Sequence, residues 1–114
     1  MNDCLFCRIV SGAIPASRVY EDEQVVAIRD INPQAPVHIL LLPKRHYASV
    51  LEAARTDAAL IGRIVVAASQ VARQEGIAER GFRLLTNTGP DGGQAVSHLH
   101  FHLLGGRPMG WPPG

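Results

Sequence analysis

The sequence has few aromatic residues, only two cysteines, little excess charge of either sign and no long apolar run. Aromatics are 5% of the 114 residues, too few to make a platform on which bases stack. Eleven Lys and Arg stand against ten Asp and Glu, a formal net charge of +1. That balance excludes the strong positive field by which nucleic-acid binders hold phosphate backbones. No apolar run approaches the ~20 residues needed to cross a bilayer. Residues 1–10 lack the basic-then-apolar order of a secretory leader, so the expected location is the cytoplasm. Cys4 and Cys7 alone make no disulfide framework. Their spacing of three makes them a candidate metal pair or a redox dithiol instead.

What is present belongs to a folded chain. Hydrophobic residues make up 46% and charged residues 18%, a composition that excludes disorder. The length fits one domain over residues 1–114, with no repeat or linker. The pattern predicts a short helix over 4–11, ended by Gly12 and Pro15. Short strands over 17–20 and 24–29 flank the acidic turn Glu21-Asp22-Glu23 and suggest a hairpin. Residues 37–42 are β-rich and almost wholly apolar, which predicts a central strand covered on both faces. A long helix is expected over 56–75, with Thr56 as N-cap and Gly76 as the stopping glycine. Leu60, Ile61, Ile64, Val65, Ala68, Val71 and Ala72 recur at helical spacing and define its apolar face. A strand over 82–86, a Gly-rich loop over 88–95, a last strand over 98–104 and an irregular tail complete the chain. Three strands before the helix and two after it favour an α+β domain with a meandering antiparallel sheet.

The stretch His98-Leu99-His100-Phe101-His102-Leu103-Leu104 carries the most chemistry. Alternation places three imidazoles on one face and Leu99, Phe101 and Leu103 on the other. A merely solvated strand face would favour Lys, Glu or Thr. Two chemistries fit the imidazoles: a metal site, or a nucleophile flanked by groups that orient it and move protons. Same-face neighbours on a strand lie roughly 7 Å apart at the backbone, so three successive histidines converge on one ion with difficulty. The preceding loop Asn87-Thr88-Gly89-Pro90-Asp91-Gly92-Gly93-Gln94 offers backbone N–H groups to an anion, or is a plain connection.

The run from Gly92 to Leu104 resembles the signature of the histidine triad (HIT) family, His-x-His-x-His followed by two apolar residues. The resemblance extends through Cys4-Leu5-Phe6-Cys7-Arg8-Ile9-Val10, Ile14-Pro15-Ala16 and Asp30-Ile31-Asn32-Pro33-Gln34-Ala35-Pro36-Val37-His38. The ending from Gly105 to Gly114, with Trp111-Pro112-Pro113, is similar to the Hint branch, the purine nucleoside phosphoramidate hydrolases. The resemblance implies a five-stranded antiparallel sheet with one long helix and a short N-terminal helix, forming a homodimer by joining sheets edge to edge. It implies that His100 is the nucleophile that forms a nucleotidyl-histidine intermediate, aided by His102, with His38 supporting His100. It places Asn87, Gly93 and Gln94 at the phosphate, Asp30 at the ribose hydroxyls, and Phe6, Ile9, Ile28 and Ile31 around the base. Ala95 stands where relatives often carry Ser, and Ile28 where an aromatic is common, which removes a phosphate contact and weakens base stacking. It further implies structural zinc, with Cys4, Cys7, His46 and His98 as ligands. A closed Cys₂His₂ set leaves no open position for catalysis. The expected activity is hydrolysis of the P–N bond of a purine nucleoside 5′-phosphoramidate, with no organic cofactor. The competing readings are a dinucleoside polyphosphate hydrolase of the same fold, a non-catalytic nucleotide-binding module and a metallohydrolase.

Overall fold

The computed structural model describes residues 4–114. Helix α1 (Leu5–Ser11) is capped by the Cys4 thiol, which accepts from the Cys7 N–H, and ends on Gly12 at φ +86°. Strands β1 (Arg18–Glu21) and β2 (Val25–Arg29) form the expected hairpin. Its turn is held by Asp22, whose Oδ1 accepts the Gln24 and Val25 N–H groups at 2.8 Å each. Strand β3 (Val37–Pro43) follows, then α2 (Val50–Thr56), α3 (Ala58–Gln74), β4 (Phe82–Thr86), the single turn α4 (Gly89–Gly92) and β5 (Phe101–Gly105).

All five strands pair antiparallel in the order β1-β2-β3-β5-β4. The sheet is therefore not a simple meander: the C-terminal strand inserts between β3 and β4, which places the histidine segment at its centre. The apolar run of β3 explains why it can be central. Val25, Ala27, Ile39, Leu41 and Leu103 face α3, and Val26, Ile28, Leu40 and Leu42 face α1 with Phe6 and Ile9. Each face thus buries a separate apolar cluster, as period-two alternation requires when both faces are covered.

The long helix begins at Ala58 rather than at 56. Thr56 is instead the last residue of α2, where its hydroxyl donates to the Glu52 carbonyl, and Asp57 is the cap between the two helices. The pattern Ser49-Val50-Leu51-Glu52 signals α2: the Ser49 hydroxyl accepts from Leu51 N–H, and Glu52 reaches back to Ala48 N–H at 2.7 Å. Leu60, Ile64, Ala67, Ala68, Val71 and Ala72 of α3 are buried, whereas Val65 is 44% exposed and lies outside the core. Gly76 ends the helix at φ +75°, with Ile77 N–H returning to Ala72 O at 3.0 Å.

Strand β5 is shorter than expected because residues 98–100 direct their polar groups elsewhere. Leu99 N–H donates to Tyr47 O. The carbonyl of His98 accepts from the His100 ring, and that of His100 accepts from the Thr86 hydroxyl, both at 2.7 Å. Among the described residues no helix is long and apolar enough to cross a membrane.

Candidate active site and metal centre

The alternation of His98, His100 and His102 survives the shortened strand. Leu99, Phe101 and Leu103 enter the cluster beneath α3, and the histidines take the opposite side, toward α1. Phe6 of α1 packs edge-on against His98 and His100, with ring centroids 5.9 and 4.9 Å away. The rings of His100 and His102 lie 5.1 Å apart. The three side chains nevertheless serve two different sites.

His98 is fully buried and turns toward the cysteines. Its Nε2 lies 2.9 Å from Pro43 O, an acceptor only, so Nε2 carries the proton and the Nδ1 lone pair is exposed to the cluster. That Nδ1 is 3.3 Å from Cys4 Sγ, 3.5 Å from Cys7 Sγ and 3.1 Å from His46 Nδ1; His46 Nδ1 is 3.3 Å from Cys7 Sγ. All four donor atoms lie within 4.8 Å of one another. Tetrahedral zinc with its usual bond lengths gives N–N and N–S edges of ~3.3 and ~3.5 Å. Two soft sulfurs, two imidazole nitrogens and a carbonyl fixing one tautomer from behind suit such an ion. The residues therefore fit a closed metal centre, and they exclude the reading in which the three triad histidines share one ion.

His100 lines the second site. Its Nδ1 lies 2.7 Å from His98 O, so Nδ1 carries the proton and Nε2 is left as a free lone pair. His100 and His102 line an apolar cleft of about 320 Å³ together with Phe6, Ile9, Ile28 and Asp30. Ile31 also lines it, but is fully exposed at 100%. Phe6, Ile9 and Ile28 are buried wall, whereas Ile31 is an uncovered apolar side chain at the mouth.

The resemblance implied that His38 supports His100; the ring it meets directly is that of His102, which lies beside His100. The His38 Nδ1 accepts the Gln34 N–H at 3.0 Å, which places the proton on Nε2. That Nε2 lies 2.9 Å from His102 Nδ1 and 3.3 Å from Asp30 Oδ2. His102 thus accepts at Nδ1 and holds its own proton on Nε2. Burial pushes the His102 pKa down to about 4, reinforced by the neighbouring His100 and His38 and opposed by Asp30. Burial also lowers His38, again opposed by Asp30, and lowers His98, opposed by its bond to Pro43. Asp30 Oδ1 meanwhile accepts the Asn32 N–H at 2.8 Å and holds the turn after β2.

The Gly-rich loop closes on itself. Gly93 N–H bonds Pro90 O and Gln94 N–H bonds Gly89 O. The Gln94 side chain accepts from Gly89 N–H and donates to Ala48 O and Val96 O, which uses both of its amide protons. Asn87, Gly93 and Gln94 do not line the apolar cleft, while Ala95 and Val96 do. Three contributors are absent from the sequence reading, the Gln34 N–H, the Pro43 carbonyl and the His98 carbonyl. All three are main-chain groups, and no side-chain pattern announces them.

The site defines a class of protein, one with a buried imidazole beside an apolar cleft and a separate Cys₂His₂ cluster. A model of the HIT domain matches residues 11–109. The chain is 49% identical to a 14 kDa zinc-binding protein of Brassica juncea, over 98% of this chain and 100% of that protein. It is 49% identical to the adenylylsulfatase HINT1 of Arabidopsis thaliana, over 96% of this chain and 76% of that protein. A crystal structure of a HIT family hydrolase from Legionella pneumophila superposes with a TM-score of 0.94 at 50% identity, covering 97% and 99% of the two chains. The protein belongs to the histidine triad (HIT) family, in its Hint branch, and these relationships support a hydrolase.

Proposed function

We propose that the protein hydrolyses the P–N bond of purine nucleoside 5′-phosphoramidates through a nucleotide covalently held on His100. The observation that carries this reading is the fixed tautomer of His100. The His98 carbonyl holds the proton on Nδ1, which leaves Nε2 unprotonated beside the cleft without any step of activation. The base lies among Phe6, Ile9, Ile28 and Ile31, and the ribose diol meets Asp30. His100 Nε2 attacks the α-phosphorus, the P–N bond breaks, and the amine leaves with a proton. Water then cleaves the phosphorus–histidine bond, releasing the nucleoside monophosphate and restoring the imidazole.

His102 is neutral in the free protein, so its Nε2–H is a hydrogen-bond donor to a non-bridging phosphate oxygen. An anionic phosphate against the ring favours its protonated form, which lets the same nitrogen deliver a proton to the departing amine. Gln94 supports the phosphate end by holding the loop in place, since its amide is already committed. A second reading keeps the same attack and changes the leaving group. The name of the Arabidopsis relative favours an adenylyl sulfate as substrate, with sulfate departing.

Zinc is the ion proposed for Cys4, Cys7, His46 and His98, where it supplies a structural cross-link between α1, the segment after β3 and the segment before β5. A homodimer is proposed through the edge strand β4, where Phe82 is 40% exposed, and the outer face of α3, where Val65 and Val66 are 44% and 59% exposed. Trp111, 84% exposed in the tail, is proposed to contact the partner.

Mass spectrometry of enzyme quenched during turnover of an adenosine 5′-phosphoramidate tests the reaction. An AMP adduct on His100, absent in His100→Ala, is expected. Turnover retained by His100→Ala refutes the mechanism. Binding of AMP without hydrolysis of any P–N, P–O–S or polyphosphate substrate makes the protein a binding module.

A further inference from the structure

The tail that follows β5 lies against the loop that orients His38. Gly105 pairs with Val37, so the chain leaving β5 runs beside the segment entering β3. Gly106, at φ +89°, passes so close to Pro36 that a Cβ added there would sit 2.9 Å from the Pro36 Cβ. The next residue, Arg107, turns its guanidinium onto one carbonyl. Its Nε and Nη2 donate to Gln34 O at 3.1 and 3.0 Å, and its Nη1 donates to Pro108 O at 3.0 Å. Gln34 is the residue whose N–H meets His38 Nδ1. Pro33 and Pro36 have no N–H, so this part of the loop has few main-chain donors of its own with which to hold Gln34. Arg107 itself is not among the residues that line the cleft.

We propose that Arg107 is a positioning residue for the reaction, one that holds His38 in the tautomer His102 requires. This rests on the nucleotide reading given above and deepens it. With its carbonyl clamped by two N–H groups, Gln34 keeps its own N–H aimed at His38 Nδ1. That nitrogen then holds no proton, so His38 carries it on Nε2 and donates it to His102 Nδ1, 2.9 Å away. His102 in turn keeps its proton on Nε2, the nitrogen that serves the phosphate and the departing amine in the proposed reaction. Loss of the clamp lets the Gln34 N–H turn toward water, which opens His38 Nδ1 to a proton. Each of the two rings can then move its single proton from Nε2 to Nδ1. In that arrangement His102 donates to His38 and has nothing left to donate at Nε2. The charge of Asp30, whose Oδ2 lies 3.3 Å from His38 Nε2, opposes this exchange and keeps part of the population productive.

Single turnover of an adenosine 5′-phosphoramidate compares wild type with Arg107→Ala, Arg107→Lys and Gly106→Ala. Arg107→Ala is expected to react about fivefold more slowly at saturation, less than the ~100-fold that complete loss of a proton donor costs. The protein concentration that gives half-saturation should stay nearly unchanged, because Arg107 lies outside the cleft. Arg107→Lys keeps a cationic donor for the Gln34 carbonyl and is expected to recover most of the rate. Gly106→Ala keeps the guanidinium but pushes it away from Gln34, and should be slowed as Arg107→Ala is. A saturated rate for Arg107→Ala within about twofold of wild type overturns the proposal; that margin lies well below the effect of a lost proton donor. If Arg107→Ala is slow while Gly106→Ala and Arg107→Lys both match wild type, only the charge counts and the clamp is overturned.

A second readout does not depend on turnover. In protein labelled with ¹⁵N-histidine, the ring-nitrogen shifts report which nitrogen holds the proton. Wild type is expected to show His38 and His102 each protonated on Nε2. Arg107→Ala is expected to move both pairs of shifts toward the average of two tautomers. Identical His38 and His102 shifts in the two proteins overturn the proposal, whatever the rates. If wild type hydrolyses no phosphoramidate, the proposed reaction fails, and the ring shifts alone still decide whether Arg107 sets the histidine pair.

Discussion

Acid should destabilise this protein partly through one ring, His102. Its pKa is pushed from the ordinary 6.5 down to about 4, chiefly by burial. The unfolded chain therefore binds a proton between these values that the folded chain refuses, and stability rises with pH across that window. The contribution is complete above pH 6.5 and disappears as pH falls toward 4. The full shift corresponds to about 3 kcal/mol, and partial access of solvent to the ring reduces this to ~1–2 kcal/mol. His38, lowered in the same direction, adds to the slope. The assay is urea unfolding of wild type and His102→Gln at steps from pH 7.5 to 4.5. Gln can still accept the His38 proton but does not titrate. The variant should lose less stability on acidification than wild type, by ~1–2 kcal/mol. Acid release of a metal from the cysteine cluster affects both proteins alike, so it cancels in the difference. Parallel pH profiles would refute the assignment of the slope to His102.

Elemental analysis should find one zinc per chain, lost in Cys4→Ser, and chelation should lower Tm by ~10 °C because the ion joins three separate segments. A metal-free protein of unchanged Tm would dismiss the cross-link. Light scattering at micromolar concentration should give twice the chain mass, and Phe82→Lys on the edge strand should shift it to one. A monomeric wild type rules out that dimer. Gly105→Ala should destabilise by ~1–3 kcal/mol, since its new Cβ would sit 2.5 Å from Ile77 Cδ1 and 3.1 Å from Ile77 Cβ. Unchanged unfolding would mean Ile77 yields freely.

Several features were legible because they are periodic or local. The helical spacing from Leu60 to Ala72 announced α3, and the unbroken apolar run from Ile39 to Leu42 announced a strand covered twice. The alternation of histidines and apolar residues after Ser97 separated two faces, and Cys4-x-x-Cys7 marked a candidate metal pair. Such signals record which way a side chain points, and backbone geometry fixes that within a few residues.

Which partner a side chain meets across the sheet was decided only by the tertiary structure. Insertion of β5 between β3 and β4 sets His38 beside His102 rather than His100. The same pairing brings His98 to Cys4 and Cys7 and to the Pro43 carbonyl, so three alternating histidines divide between the Cys₂His₂ cluster and the apolar cleft. Ile31 reads as core by its chemistry, yet the chain leaves it bare at the cleft mouth. The tautomers of His38, His98 and His100 depend on main-chain groups of Gln34, Pro43 and His98. A peptide N–H or carbonyl is the same in every residue, so only the folded path of the chain determines which imidazole it touches.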